Sequence, residues 1–272
     1  MTEAKFETKH NTSNLNLSKV ELIRMIKKND ILFITLIMAS FLPFLLSEVI
    51  FNSYIKFNHD HGLIASFIKF ALLATLGEVI GLRIKTGEYY QKGFGIIPRM
   101  IVWGILGFTI KIAFVIFATG TPVFLESIGL SNAQLVMNKP FSFDKLLVAA
   151  SISIAMNVVY APVMMTLHKI TDMHIISTGG TIAGFFTPIK FRKLFVDLDW
   201  NIQWNFVFKK TIPFFWIPAH TITFLLPPDF RVLFAALLGI ALGAILAVAD
   251  MMGDDNKILE MEAISINKNK KS

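Results

Sequence analysis

A charged side chain inside a long apolar run must be paired, wetted or snorkelled to an edge, because leaving it bare at mid-membrane depth costs several kcal/mol. This sequence poses that problem repeatedly. Glu48, Lys69, Glu78 and Lys111 interrupt runs of Ile, Leu, Phe, Val and Ala, Arg99 stands at the edge of one, and Asn157, Tyr160 and His220 bring polar groups into two more. Two chemistries suit such residues: ion pairs and hydrogen bonds that fix helices to one another, or a polar lining for a solute that crosses the bilayer. Covalent catalysis is not expected. The acids, histidines and potential nucleophiles do not gather as an intramembrane enzyme would need, and no cofactor is expected either.

Two motifs invite a catalytic or metal reading and are set aside. Thr178-Gly179-Gly180-Thr181-Ile182-Ala183 is similar to the segment around the nucleophilic Thr of bacterial-type asparaginases. A Thr nucleophile needs a base and an oxyanion site from elsewhere in the fold, and no partner motif for it occurs, so a structural turn is expected. The run is not a phosphate loop, since no Gly-Lys-Ser/Thr follows it. The six histidines, at 10, 59, 61, 168, 174 and 220, form no metal set; His59-x-His61 falls in a short loop, where incidental binding is the default. With no cysteine in the chain, disulfides and thiolate chemistry are excluded.

The elements that must hold the polar residues are six apolar stretches: Ile31–Phe51, Gly62–Leu82, Pro98–Ala118, Lys145–Leu167, Thr211–Leu226 and Phe230–Asp250. A helix needs about 20 such residues to cross a hydrocarbon core, and five of the stretches reach that length; the fifth in order is shorter and Pro-interrupted. Of the 272 residues 54% are hydrophobic, mean hydropathy is +0.60 and Phe outnumbers Tyr 26 to 4. The charge excess of +7 is read as cytoplasmic loop charge rather than a nucleic-acid footprint.

Basic residues alternate from connection to connection. The N-terminal tail holds Lys5, Lys9, Lys19, Arg24, Lys27 and Lys28, and the first connection only Lys56. Arg83, Lys85, Lys92 and Arg99 mark the second, Lys139 and Lys145 the third, and Lys169, Lys190, Arg192, Lys193, Lys209 and Lys210 the fourth. Arg231 alone marks the fifth, before Lys257, Lys268, Lys270 and Lys271 in the tail. The positive-inside rule then puts both termini in the cytoplasm. The expected fold is all-α and polytopic, with about six transmembrane helices. It divides into a cytoplasmic tail over 1–30, a membrane domain over 31–250 with a cytoplasmic connection over 168–210, and a polar tail over 251–272. An interfacial helix is expected over Leu17–Lys28, where Val20, Ile23 and Ile26 share a face. Another is expected within Phe185–Lys210, where Phe195, Trp200, Trp204, Phe206 and Phe208 suit interfacial anchors.

Helical rise lets the polar residues be placed by depth. Glu48 and Lys69 come to about 25 and about 21 Å from the cytoplasmic side, close enough for a pair, and Glu78 lies within reach of a snorkelling Arg99. Lys111, Asn157 and His220 come to about 18, 15 and 13–14 Å, with Thr109, Tyr160 and Thr221 near that level. They either line a polar cavity that favours anions or serve separately: Lys111 snorkelling, Asn157 bonded to a neighbouring helix, and His220 as a satisfied core imidazole. Gly77-x-x-x-Gly81 and Gly239-x-x-x-Gly243 suit close helix packing, within one chain in preference to a homo-oligomer interface.

Several of these positions also carry a family likeness. Gly77-Glu78 is similar to a Gly-Asp pair in the Mpv17/PMP22 family of small multi-span membrane proteins. Pro98 and Trp103 keep the spacing of that family's Gly-Pro-x-x-His-x-Trp-Tyr, with Ile101 and Gly104 replacing His and Tyr. Asn157-Val158-Val159-Tyr160-Ala161-Pro162 resembles its Asp-Gln-x-x-aromatic-Ala-Pro, with Met156 at the Asp. Trp216, Phe224 and Pro228 follow the C-terminal Trp-Pro-x-x-Gln-x-x-Asn-Phe-x-x-Val-Pro-x-x-x-Arg signature. There His220 and Thr223 take the Gln and Asn places, Pro218 is one residue late and Arg231 one early. The likeness runs from about Gly62 to Val248. It implies a membrane channel, in a family usually described as four-span, where the apolar runs suggest six. The expected function is a channel or passive pore for small solutes or ions in a cell membrane, the bacterial plasma membrane in preference to an organelle. Its partners would be the bilayer and small solutes or anions. The alternative is a non-transporting scaffold that organises lipids or proteins.

Overall fold

The computed structural model describes residues 27–244, and among them every regular element is helical. The tail at 251–272 and nearly all of the Leu17–Lys28 helix expected from the sequence lie outside those residues. Two compact units divide between Lys56 and Phe57.

The first unit holds α1 (Lys28–Leu46) and the start of α2 (Glu48–Asp60). No residue of α1 is buried within the protein, and its Ile31, Leu32, Ile34, Leu36 and Met38 are exposed; an apolar helix of this kind suits a surround of lipid tails. Pro43 in the last turn and an extended Ser47 end the helix, so the run Ile31–Phe51 is divided. Glu48 consequently opens α2, where unpaired backbone N–H groups favour a carboxylate.

The second unit contains α3 (Gly62–Thr86), α4 (Ile96–Ser127), α5 (Ala133–Val136), α6 (Phe143–Val159) and α7 (Ala161–Ser177). There follow α8 (Ile182–Phe185), α9 (Phe191–Asp197), α10 (Trp200–Ile202), a π-helix over Gln203–Trp216, and α11 (Ile217–Leu225). A last helix, α12, covers the described residues 228–244. α3 and α4 run antiparallel in a regular register that matches Gly62 with Lys111, Gly107 with Ser66, Phe70 with Trp103 and Glu78 with Arg99. α6 packs on α4 and α11, burying Val148, Ala149, Ile152, Met156 and Phe224, and the Ser153 hydroxyl donates to Ile217 O at 2.7 Å.

Helices α1, α3 and α4 are long and apolar enough to cross a membrane, and α6 with α7 makes a fourth such span if the bent pair is counted as one. The bend is 45°, at Tyr160, where Pro162 in the first turn of α7 has no N–H to offer the carbonyl four residues back. The fifth stretch is shared between the π-helix, which contains Pro213, and α11, with Pro218 in its first turn. The sixth continues beyond the described residues. By length and composition the six expected crossings thus become three or four among the described residues. α7 runs on to Ser177, into the segment expected as the cytoplasmic connection over 168–210.

The Thr-Gly-Gly-Thr run ends α7. Gly180 N–H donates to Ile175 O at 2.8 Å, and Gly180 has a positive φ of 66°, the left-handed conformation that commonly closes a helix. A Cβ on Gly180 would come within 2.8 Å of Gly95 N, so the turn packs backbone to backbone on the α3–α4 loop. That contact sets the end of α7 beside the first turn of α4.

A second close approach joins α3 to α12. A Cβ on Gly77 would lie 2.8 Å from Gly239 O and Ile240 Cα, and one on Gly243 would lie 2.7 Å from Gly77 O. Gly77→Leu or Gly243→Leu is therefore expected to cost about 1–3 kcal/mol through overpacking, read as a lower unfolding temperature in detergent. Gly120→Ala, whose added Cβ meets nothing within 4 Å, is expected to leave that temperature unchanged or raise it.

Candidate functional site

The most connected polar cluster sits where α3, α4 and α7 meet. Arg99 enters it from the first turn of α4, with only 7% of its surface exposed. Its Nη1 donates to Glu78 Oε2 on α3, its Nη2 pairs with Asp172 Oδ1 on α7, and its Nε donates to Phe94 O at 2.7 Å. The Phe94 ring lies against the guanidinium, 4.3 Å from centroid to Cζ. Glu78 Oε1 accepts from Trp103 Nε1 at 2.8 Å and lies 3.1 Å from His168 Nε2. The Trp103 and His168 rings are 4.3 Å apart, and Lys169 Nζ stands 3.7 Å from Asp172 Oδ2.

The guanidinium fork is what makes this arrangement feasible, since its fixed donors can serve two carboxylates and a carbonyl in one plane. Two carboxylates face Arg99 and Lys169, so the formal charges of these four groups balance. Val102, Thr171 and Ile175 complete the adjoining crevice, which leaves no room for a water molecule. The cluster ties α3, α4 and α7 to one another electrostatically.

Three smaller polar groups follow along the bundle. Thr109 Oγ1 and Tyr160 OH are 2.6 Å apart, joining α4 to the α6–α7 bend. Asn157 is fully buried; its Nδ2 donates to Ser153 O at 2.8 Å and lies 3.0 Å from His220 Nδ1. Trp216 stacks on the His220 ring at 5.1 Å and Phe114 meets it edge-on at 5.7 Å. The third group centres on Lys69, which donates to Asn58 Oδ1, while Asn58 Nδ2 donates to Asp229 O at 3.2 Å. Lys69 is within electrostatic range of Lys111 and Asp229. Lys111 Nζ would stand 3.9 Å from a Cβ at Gly62.

The structure thus brings Glu78 to Arg99, and Asn157 to His220. Tyr160 turns to Thr109, and Lys111 lies against Gly62 at the start of α3, so the four expected cavity residues occupy three places. Glu48 opens α2 in the first unit. Among the family-motif positions, Pro98 is buried in the first turn of α4, Trp103 bonds Glu78 and Trp216 covers His220. Pro162 begins α7 and Pro228 begins α12. Arg231 donates to Leu226 O and Phe224 O at 2.9 and 3.1 Å, over the fully buried Phe224.

His168 and Asp172 are the site residues that the sequence reading missed. Both fell in the expected cytoplasmic connection, outside the bilayer. Their spacing of four, which sets two side chains on one helical face, was the available signal.

Replacing Asn157 by Leu removes the partner of a buried imidazole and is expected to cost about 1–3 kcal/mol. Asn157→Leu with His220→Phe removes both polar groups and is expected to recover most of that loss. Unfolding in mixed micelles measures both.

Comparison of the chain with protein-family models, with curated proteins and with solved structures finds no match.

Proposed function

We propose that this protein passes small solutes or ions across a membrane through its own helix bundle, as a distant relative of the Mpv17/PMP22 family. In this reading the membrane is a bacterial-type plasma membrane, both termini are cytoplasmic, and the shorter C-terminal helices complete six crossings. The observation that carries it is the spacing of polar groups on α4. Arg99, Thr109 and Lys111 belong to three of the four clusters, over a rise of about 18 Å on that helix. Polar groups at intervals through a bundle are what a polar solute needs to exchange its hydration in steps, and they are costly to retain in lipid otherwise. The bend at Tyr160, the π-helix and Pro213 add backbone groups outside regular α-helical bonding, which membranes tolerate where they face protein or a wet cavity.

The family assignment draws support from where the motif residues meet. Glu78 and Trp103, from two separate motifs, share a hydrogen bond, and Trp216, Phe224 and Arg231 surround one buried region.

A scaffold without transport is the second reading. It is favoured by the pairing of the polar groups with one another: Arg99 with two carboxylates, and Asn157 with His220. Conductance or solute efflux from proteoliposomes separates the two, and a silent protein supports the scaffold. For the passage reading, Lys111→Ala is expected to lower anion flux about fivefold, the effect of losing the ~1 kcal/mol that a unit charge exerts at ~4 Å in water. Unchanged rate and selectivity would remove Lys111 from the route.

A further inference from the structure

The connection that carries α9, α10 and the π-helix has one satisfied face and one unsatisfied face. Leu194 and Leu198 are buried against Ile170, with Met173 packed beside them, and Gln203 is buried with its Nε2 3.4 Å from Thr166 Oγ1. These contacts hold the connection on α7. The outward side is aromatic. Phe191 stacks on Phe195 at 6.0 Å, Phe195 meets Trp200 edge-on at 4.9 Å, and Trp204 meets Phe208 at 5.9 Å. Phe186 is 72% exposed and Trp204 54%. Exposed rings in two clusters, Phe191–Phe195–Trp200 and Trp204–Phe208, with Phe186 beyond them, call for an apolar neighbour.

The charges on the same connection say which neighbour. Asp197 is taken by Lys193, and Asp199 caps α10 by accepting from Ile202 N at 3.0 Å. Lys209 Nζ lies over the Trp204 ring at 5.8 Å. Among the described residues no carboxylate pairs with Lys190, Arg192 or Lys210, and all three are exposed. Unneutralised cations interleaved with exposed Phe and Trp match the boundary between acyl chains and anionic headgroups: the rings enter the boundary while the long basic side chains reach phosphate.

We infer that the 186–210 connection is a binding surface for anionic phospholipid headgroups, with Lys190, Arg192 and Lys210 as the selecting residues. This rests on the membrane location of the helices and is independent of solute passage.

Tryptophan quenching by brominated lipid, with the full chain in proteoliposomes, tests it. Brominated phosphatidylglycerol at low mole fraction is expected to quench more than brominated phosphatidylcholine, with a preference of about fivefold or more. The preference should shrink as salt is raised, because exposed charges are screened. It should fall towards one in Lys190→Gln/Arg192→Gln/Lys210→Gln, and the differential quenching should be lost in Trp200→Phe/Trp204→Phe. Equal quenching by the two lipids in the parent protein overturns the proposal, as does an unchanged preference in the triple variant, which would leave aromatic anchoring alone. Loss of the preference on adding millimolar inorganic phosphate at constant ionic strength would assign the cations to a free anion and also overturn it. The salt dependence of the parent decides the matter independently if the triple variant folds poorly.

Discussion

A single guanidinium, buried at the junction of three helices, is the constraint around which the second unit is arranged. Arg99 would be untenable there alone: removing a charge from water costs several kcal/mol, and mutual attraction offsets this only when geometry and hydrogen bonding are both good. Both conditions are met. Glu78 comes from α3, Asp172 from α7 and the Phe94 carbonyl from the loop that starts α4. Each contact depends on a backbone feature elsewhere. The glycine turn at 178–180 brings the end of α7 against Gly95, and the antiparallel register of α3 and α4 brings Glu78 level with Arg99. A lysine could not substitute, because its compact ammonium lacks the planar fork that serves two acids at once.

The same logic of mutual satisfaction runs through the rest of the bundle with weaker partners. Asn157 and His220 pair in an aromatic surround, Thr109 and Tyr160 pair across the bend, and Lys69 is held by Asn58, which is bonded in turn to Asp229 O. Glycine contacts complement these bonds. At Gly77 the α3 backbone touches α12, one residue before Glu78. One face of α3 is therefore fixed by van der Waals contact while its neighbour takes part in the ion network. A bundle assembled this way combines tight packing with internal polarity, and both proposed readings draw on that combination. Passage would require some pairs to exchange partners with a solute; scaffolding would require them to stay closed.

The apolar runs made the helical, membrane-suited character of the chain legible, because long hydrophobic stretches survive in any fold. The number of crossings was less legible. The break at Ser47, the bend at Tyr160 and the π-helix from Gln203 depend on backbone hydrogen bonding that hydropathy does not sense. Comparing depths along helices brought Asn157 and His220 to neighbouring levels, and these two do bond. The same comparison grouped Lys111 with them. Depth carries no information on which face of a helix a residue occupies, and Lys111 lies instead by Gly62 and Lys69. His168 and Asp172 escaped notice for a related reason: the fourth stretch was ended where its apolar residues thinned, although a helix whose polar face is satisfied by a buried arginine need not stop there. The role of Thr178–Thr181 as a turn followed from the lack of catalytic partners, but its backbone contact with the α3–α4 loop involves residues some 85 positions away in sequence, and no local pattern reports that.

The most direct measurement of the central claim is a double-mutant cycle of Glu78→Gln and Arg99→Gln, with unfolding free energies determined in mixed micelles. Arg99→Gln alone is expected to cost about 3–5 kcal/mol, because it strands two partly buried carboxylates. A coupling with Glu78→Gln of at least about 1 kcal/mol is expected, so that the double variant loses less than the sum of the single losses. Additive effects within about 0.5 kcal/mol would mean that the two side chains act independently, and would contradict the arginine-centred tie.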